Sequence, residues 1–199
     1  MIEGDGMRIL LAPDSFKESL SAQEVAEALA SGFEKSQLDC QLEALPIGDG
    51  GEGTVAALVA SLGMCYQHLE VSGPFGQPCQ LAYAVKDDLA LVEMAELVGL
   101  AKIPLDQRDP LSVSTFGLGQ LLAHLAATGF KRVMIGVGGS ASNDGGLGMA
   151  AGLGYEFFDE ANQKLEPLGC NLGKVARFSD SQVPEQVKKL ELTIITDVT

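Results

Sequence analysis

The residues best suited to chemistry sit in glycine-rich loops. In Gly138-Gly139-Ser140-Ala141-Ser142-Asn143-Asp144-Gly145-Gly146, four polar side chains fall within five positions between pairs of glycines. Glycine lets backbone N–H groups approach an oxyanion without a Cβ in the way, and hydroxyl and amide side chains add further hydrogen bonds. A strand-to-helix turn needs one N-cap residue here, so the surplus of Ser140, Ser142, Asn143 and Asp144 points to a bound phosphate or carboxylate. A second loop, Gly48-Asp49-Gly50-Gly51-Glu52-Gly53-Thr54, combines glycines with acids. A third polar stretch, Asp14-Ser15-Phe16-Lys17-Glu18-Ser19, holds one cation, Lys17. Gly, Ser, Asp and a single Lys are what phosphoryl transfer asks for, because that reaction depends on positioning and charge neutralisation more than on covalent chemistry. The glycines alone would equally serve plain strand-to-helix turns, and their spacing matches neither GxxxxGK[ST] nor an opening GxGxxG.

These loops need strands before them and helices after them. Residues 8–12, 42–47 and 133–137 are short apolar runs that read as strands, and 22–35, 55–62, 115–128 and 147–152 read as helices. Ser21 and Glu24 fit a capping box, and Leu118, Leu121, Leu122 and Leu125 form one helical stripe. The polar loops then all lie at the carboxyl ends of strands, where open α/β sheets bind their ligands. Residues 68–72, 80–86 and 89–94 have a different character, three strand-like runs joined by turns, and predict an antiparallel meander. Residues 190–199 are a last strand ending on Asp197, and its apolar run 192–195 reads as central in a parallel sheet. The expected class is α/β: a larger parallel-sheet domain (7–64, 112–153 and 186–199) and a second, smaller α+β domain with antiparallel strands (65–111 and 154–185).

Composition narrows the partners. Of 199 residues, 27 are acidic and 13 basic, and the formal charge of −14 opposes attraction to nucleic acid and to anionic membrane surfaces. No apolar run approaches the roughly 20 residues of a membrane span. Cys40, Cys65, Cys79 and Cys170 are scattered and form no CxxC pair, which argues for free thiols in a reducing cytoplasm and against a zinc site. His124 reads as a packed or surface residue of its helix rather than a catalyst.

The segments APDSFKESLSA (12–22), PIGDGGEGT (46–54), VSGPFG (71–76), EMAELVGL (93–100), RDPLSVSTFGLGQLL (108–122) and GVGGSASNDGGLGMAAGLG (136–154) together resemble the type-1 glycerate kinase family. The resemblance implies ATP-dependent phosphorylation of D-glycerate, with 2-phosphoglycerate as the usual product and Mg²⁺ as cofactor. It also implies a Rossmann-like α/β domain interrupted by a smaller domain. From their places at or after strand ends, Lys17, Asp49 and Asp197 are the expected catalytic residues, with Asp49 and Asp197 also expected at the metal. Asp14, Ser15, Gly50, Gly51, Gly139, Ser140, Ser142, Asn143, Asp144 and Gly145 are expected to hold phosphate or substrate, with neither substrate assigned to a particular loop. The one assembly considered is a homodimer. Family members continue past the DVT at 197–199, which leads to the expectation that this chain alone lacks activity. A non-catalytic nucleotide- or sugar-acid-binding module is the alternative. A nicotinamide oxidoreductase fits poorly, because no acid lies ~20 positions after a GxGxxG at the first strand.

Overall fold

The computed structural model describes residues 7–196 apart from 17, 18, 37, 49 and 52. In chain order the regular elements are β1 (Met7–Leu11), α1 (Ala22–Lys35), β2 (Cys40–Ala44), α2 (Thr54–Leu62), β3 (Cys65–Ser72), β4 (Pro78–Lys86), β5 (Leu89–Glu93), α3 (Ala95–Val98), α4 (Phe116–Ala127), β6 (Arg132–Gly136), α5 (Leu147–Gly152), β7 (Glu156–Phe158), β8 (Arg177–Ser179) and β9 (Glu191–Ile195). Short 3₁₀ turns fill several of the connections. The class is α/β, with a parallel-containing central sheet and separate antiparallel strands.

The central sheet has the order β3-β4-β5-β6-β9. β3, β4 and β5 run antiparallel to one another, whereas β5–β6 and β6–β9 are parallel. The meander therefore does not form a sheet of its own, as its turn-rich sequence had suggested. β5 is buried along nearly its whole length: Ala90 and Val92 join the cluster under α4, and Leu91 joins the cluster under α2. A strand that is apolar on both faces belongs in the middle of a covered sheet, and β6 presents a matching apolar partner. Leu118, Leu121, Leu122 and Leu125 of α4 fill one face against Leu81, Tyr83, Val133 and Ile135, while Val55 and Met64 close the other over Ala84 and Leu91.

β1 and β2 pair in parallel across α1 as a two-stranded sheet, rather than extending the central one. The predicted capping box of α1 is formed: Ser21 Oγ accepts from Glu24 N, and the Glu24 carboxylate accepts from Ser21 N. The bond from Ser21 N holds the Glu24 carboxyl below its ordinary pKa. β9, expected at the centre, is paired among the described residues only with β6, and Leu192 and Ile194 are 42% and 53% exposed. β7 and β8 form a small antiparallel pair, with the Arg177 guanidinium 4.0 Å above the Phe158 ring.

α4 and α5 pack through glycines. A Cβ on Gly119 would lie 2.8 Å from Gly152 Cα and closer still to the Met149 carbonyl oxygen. Both obstacles are backbone and cannot rotate away. Replacing an interior helix glycine by alanine normally gains up to about 1 kcal/mol, but overpacking costs about 1–3 kcal/mol, so Gly119→Ala is expected to destabilise. Gly32→Ala in α1, where nothing lies within 4 Å of the new Cβ, is the control and should stabilise. Urea midpoints that moved the same way for both would show the helix contact to be looser than described.

Candidate functional site

Backbone contacts draw the strand-end loops together. Leu45 N donates to Leu11 O at 2.8 Å and Ile47 N to Pro13 O at 3.0 Å, so the exits of β1 and β2 run side by side. The second glycine loop then folds over the ends of β6 and β9. Gly138 N donates to Gly50 O at 2.9 Å, and a Cβ on Gly138 would fall 2.6 Å from Gly51 Cα. Gly50, at φ 94°, would place a Cβ 2.6 Å from Ile195 O, so this turn tolerates only glycine. The loops following β1, β2 and β6 thus form one continuous rim with the end of β9.

Glu93, at the end of β5 and only 4% exposed, anchors this rim from below. Its carboxylate accepts from Val55 N at 2.5 Å and Gly53 N at 3.2 Å. Those amides open α2, where the carboxylate also meets the positive end of the helix dipole. Thr54 Oγ1 accepts from Gly50 N at 2.9 Å, which closes the turn from inside.

Within the loop after β6, the polar residues have different fates. Asp144 is 3% exposed, and its two oxygens take four donors: Thr115 N at 2.9 Å, Thr115 Oγ1 at 2.7 Å, Gly146 N at 2.9 Å and Gly148 N at 3.2 Å. Thr115 Oγ1 in turn accepts from Met149 N at 2.8 Å. The amides at the start of α5 are therefore spent on Asp144 and Thr115. The anion-binding helix start read from the sequence is an internal joint between α4 and α5.

Ser140 and Ser142 lie outside this joint. Their hydroxyls are 2.7 Å apart, and Ser142 N donates to Ser140 Oγ at 3.2 Å. Ala141 N donates to Val98 O and Leu100 N to Gly139 O, which lays the loop along the segment after α3. Asn143 is exposed, and its N–H donates to Pro110 O at 2.9 Å. Gly139 and Gly145 are exposed at φ 74° and 59°. At the exit of β1, Asp14 Oδ1 accepts from Ser15 N at 2.6 Å. Lys17, Asp49 and Asp197 lie outside the described residues, although Gly50 and Thr196, which adjoin the two acids in the chain, border the same contact. Among the described residues no group of three or more His, Cys, Asp or Glu side chains could hold a metal ion.

Sequence reading passed over Arg108 and Thr115. Arg108 follows α3, donates from Nε to Ile103 O at 3.1 Å and from Nη2 to Leu100 O at 3.0 Å, and lines a groove of ≈ 250 Å³ with Ser140 and Ser142. In sequence it is one residue of a loop, next to Asp109 and before Pro110. Thr115 was read only as the first residue of the apolar helix over 115–128.

A glycerate kinase family model matches residues 9–199. The chain belongs to the glycerate kinase family. It is 50% identical over 195 residues to a glycerate kinase of Neisseria meningitidis serogroup B, an alignment covering 96% of this chain and 52% of that protein. It is 37% identical to a glycerate 2-kinase of Escherichia coli K12, covering 97% of this chain and 51% of the relative. A crystal structure carrying the name glycerate kinase 2, from Salmonella typhimurium LT2, superimposes with a TM-score of 0.79 at 39% identity, over 95% of this chain and 52% of that one. The chain spans about half the length of the curated relatives it matches. No helix among the described residues is long and apolar enough to cross a membrane.

Proposed function

We propose that the rim formed by the loops after β1, β2 and β6 is the reaction cleft of a kinase that transfers the γ-phosphoryl group of ATP to D-glycerate, giving 2-phosphoglycerate and ADP. The observation that carries this reading is the bonding of Gly138 to Gly50 over the end of β9, in a chain of the glycerate kinase family. It joins the loops after β2 and β6, and the bond from Ile47 N to Pro13 O brings the exit of β1 beside them, so that the polar loops a phosphoryl transfer needs are neighbours. Asp14, Ser15, Gly50, Gly51, Gly139, Ser140, Ser142, Asn143 and Gly145 line or border the cleft, while Asp144 fixes the shape of its wall from inside.

In this reading Lys17 neutralises the transferring phosphoryl group, and one of Asp49 and Asp197 accepts the proton of the attacking hydroxyl. The same pair would hold Mg²⁺, which when bound would neutralise phosphate charge. The described residues provide no metal cluster, so the Mg²⁺ assignment rests on those two acids alone. The reading extends to a cytoplasmic homodimer.

The test is ADP release from Mg²⁺, ATP and D-glycerate by a protein that carries this chain at the full length of its relatives, with ³¹P NMR of the product. Glycerate-dependent ADP and a 2-phosphate resonance are expected. ATP binding without any glycerate-dependent ADP would leave the non-catalytic binding module standing in its place.

A further inference from the structure

Removing the α5 amides from the list of anion ligands leaves a question of charge. In a chain with a formal charge of −14 a fixed local cation favours an anionic substrate, and the cation lining the groove beside Ser140 and Ser142 is Arg108. Its side chain is already oriented. Nε–H and one Nη2–H are bonded to the carbonyls of Ile103 and Leu100. Arginine has five such donors, so both Nη1 protons and the second Nη2 proton remain, and together they make the end-on fork that matches a carboxylate. No ion pair among the described residues engages Arg108, although the flanking Asp106 and Asp109 are close in sequence.

The rest of the groove suits a small hydroxy acid. With their oxygens 2.7 Å apart, one of the Ser140 and Ser142 hydroxyls donates to the other, and the second keeps its proton for a ligand. Leu100, Pro110 and Ala141 give the remaining wall an apolar surface for a carbon chain. At ≈ 250 Å³ the groove has room for a three-carbon acid, and Arg108 also lines a second groove of ≈ 410 Å³ with Asp106, Asp109 and Ser112.

We infer that Arg108 recognises the carboxylate of the acceptor acid, with Ser140 and Ser142 bonding the same ligand, and that the loop after β6 therefore holds the acid rather than ATP. This inference rests on the kinase reading. It assigns a substrate to a loop and a role to a residue that neither the loop spacing nor the family membership singles out.

The experiment compares R108Q, R108K and S142A with the unsubstituted full-length protein, using D-glycerate, its uncharged amide glyceramide, and ATP. R108Q is expected to raise the KM for D-glycerate at least about tenfold, leave the KM for ATP within about twofold, and erase the preference for glycerate over glyceramide. R108K, which keeps charge without the fork, should fall between. A glycerate KM within about twofold of the unsubstituted value overturns the assignment, as does a rise in the ATP KM alone, which would place a nucleotide phosphate in the groove. Equal losses with glycerate and glyceramide also overturn it, since they mark a merely structural arginine. If R108Q fails to fold because the Leu100 and Ile103 carbonyls lose their donors, R108K and S142A decide: glycerate KM unchanged in both overturns the assignment. Absence of glycerate turnover in the unsubstituted protein overturns the kinase reading and this inference with it. Turnover that ignores Arg108 overturns this inference alone.

Discussion

Asp144→Ala should destabilise the protein by about 3 kcal/mol or more, because it strands four donors at once, three of them in buried bonds, and each orphaned buried donor carries a desolvation cost of about 1–3 kcal/mol, partly relieved by water. Three of those donors are backbone amides of Thr115, Gly146 and Gly148, and the fourth is the Thr115 hydroxyl. The loss should extend beyond the loop, since Thr115 also holds Met149 N and so ties the start of α4 to α5. Asp144→Asn keeps the shape and one acceptor but turns an NH₂ group toward N–H donors, so a smaller loss, about 1–2 kcal/mol, is expected. Urea denaturation measures both. Near-native stability in Asp144→Ala combined with lost ligand binding would return Asp144 to the role of a direct ligand.

Lys17→Ala should lower kcat/KM for glycerate about a hundredfold or more in the full-length protein, the effect of removing roughly 3 kcal/mol of charge stabilisation from a phosphoryl-transfer transition state. The loss should fall chiefly on kcat, since charge on the moving phosphoryl group is what the lysine meets in the proposed cleft. Lys17→Arg keeps a cation on a longer, planar head and should recover part of the rate. An effect within about twofold would remove Lys17 from the reaction and leave it a solvated loop charge.

Local patterns were legible in the sequence where the physics is local. The Ser21–Glu24 capping box and the leucine stripe of α4 each depend on residues within a turn or two of one another, and both are found as read. Sheet membership was harder. The turns around residues 65–93 specify antiparallel neighbours correctly, but nothing in them says that β5 will take β6 as a parallel partner on its other side, because that choice depends on a strand far along the chain. Residues 140–144 were harder to read for a different reason. Hydroxyls and acids crowded between glycines look the same whether they face a ligand or a neighbouring helix, and here the group divides: Ser140 and Ser142 line the groove while Asp144 turns inward. Arg108 was not legible, since its orientation comes from the carbonyls of Ile103 and Leu100, five and eight residues back, rather than from any local motif.

The mixed order of the central sheet also sets a sequence of events for folding. β3 and β4 meet through a turn held by Gly73 N on Gln77 O, so their pairing closes a short loop and carries little entropic cost. The parallel contacts must instead bring Leu89 to Arg132 and Arg132 to Glu191, and chain closure over such separations precedes any gain from the bonds it allows. The hairpin is thus the natural first structure, and β6 joins only once α4 can fold down over the exposed face of β5. β9 comes last, onto an edge that until then offers a row of unpaired backbone groups. During that interval the nascent sheet is open to pairing with other chains.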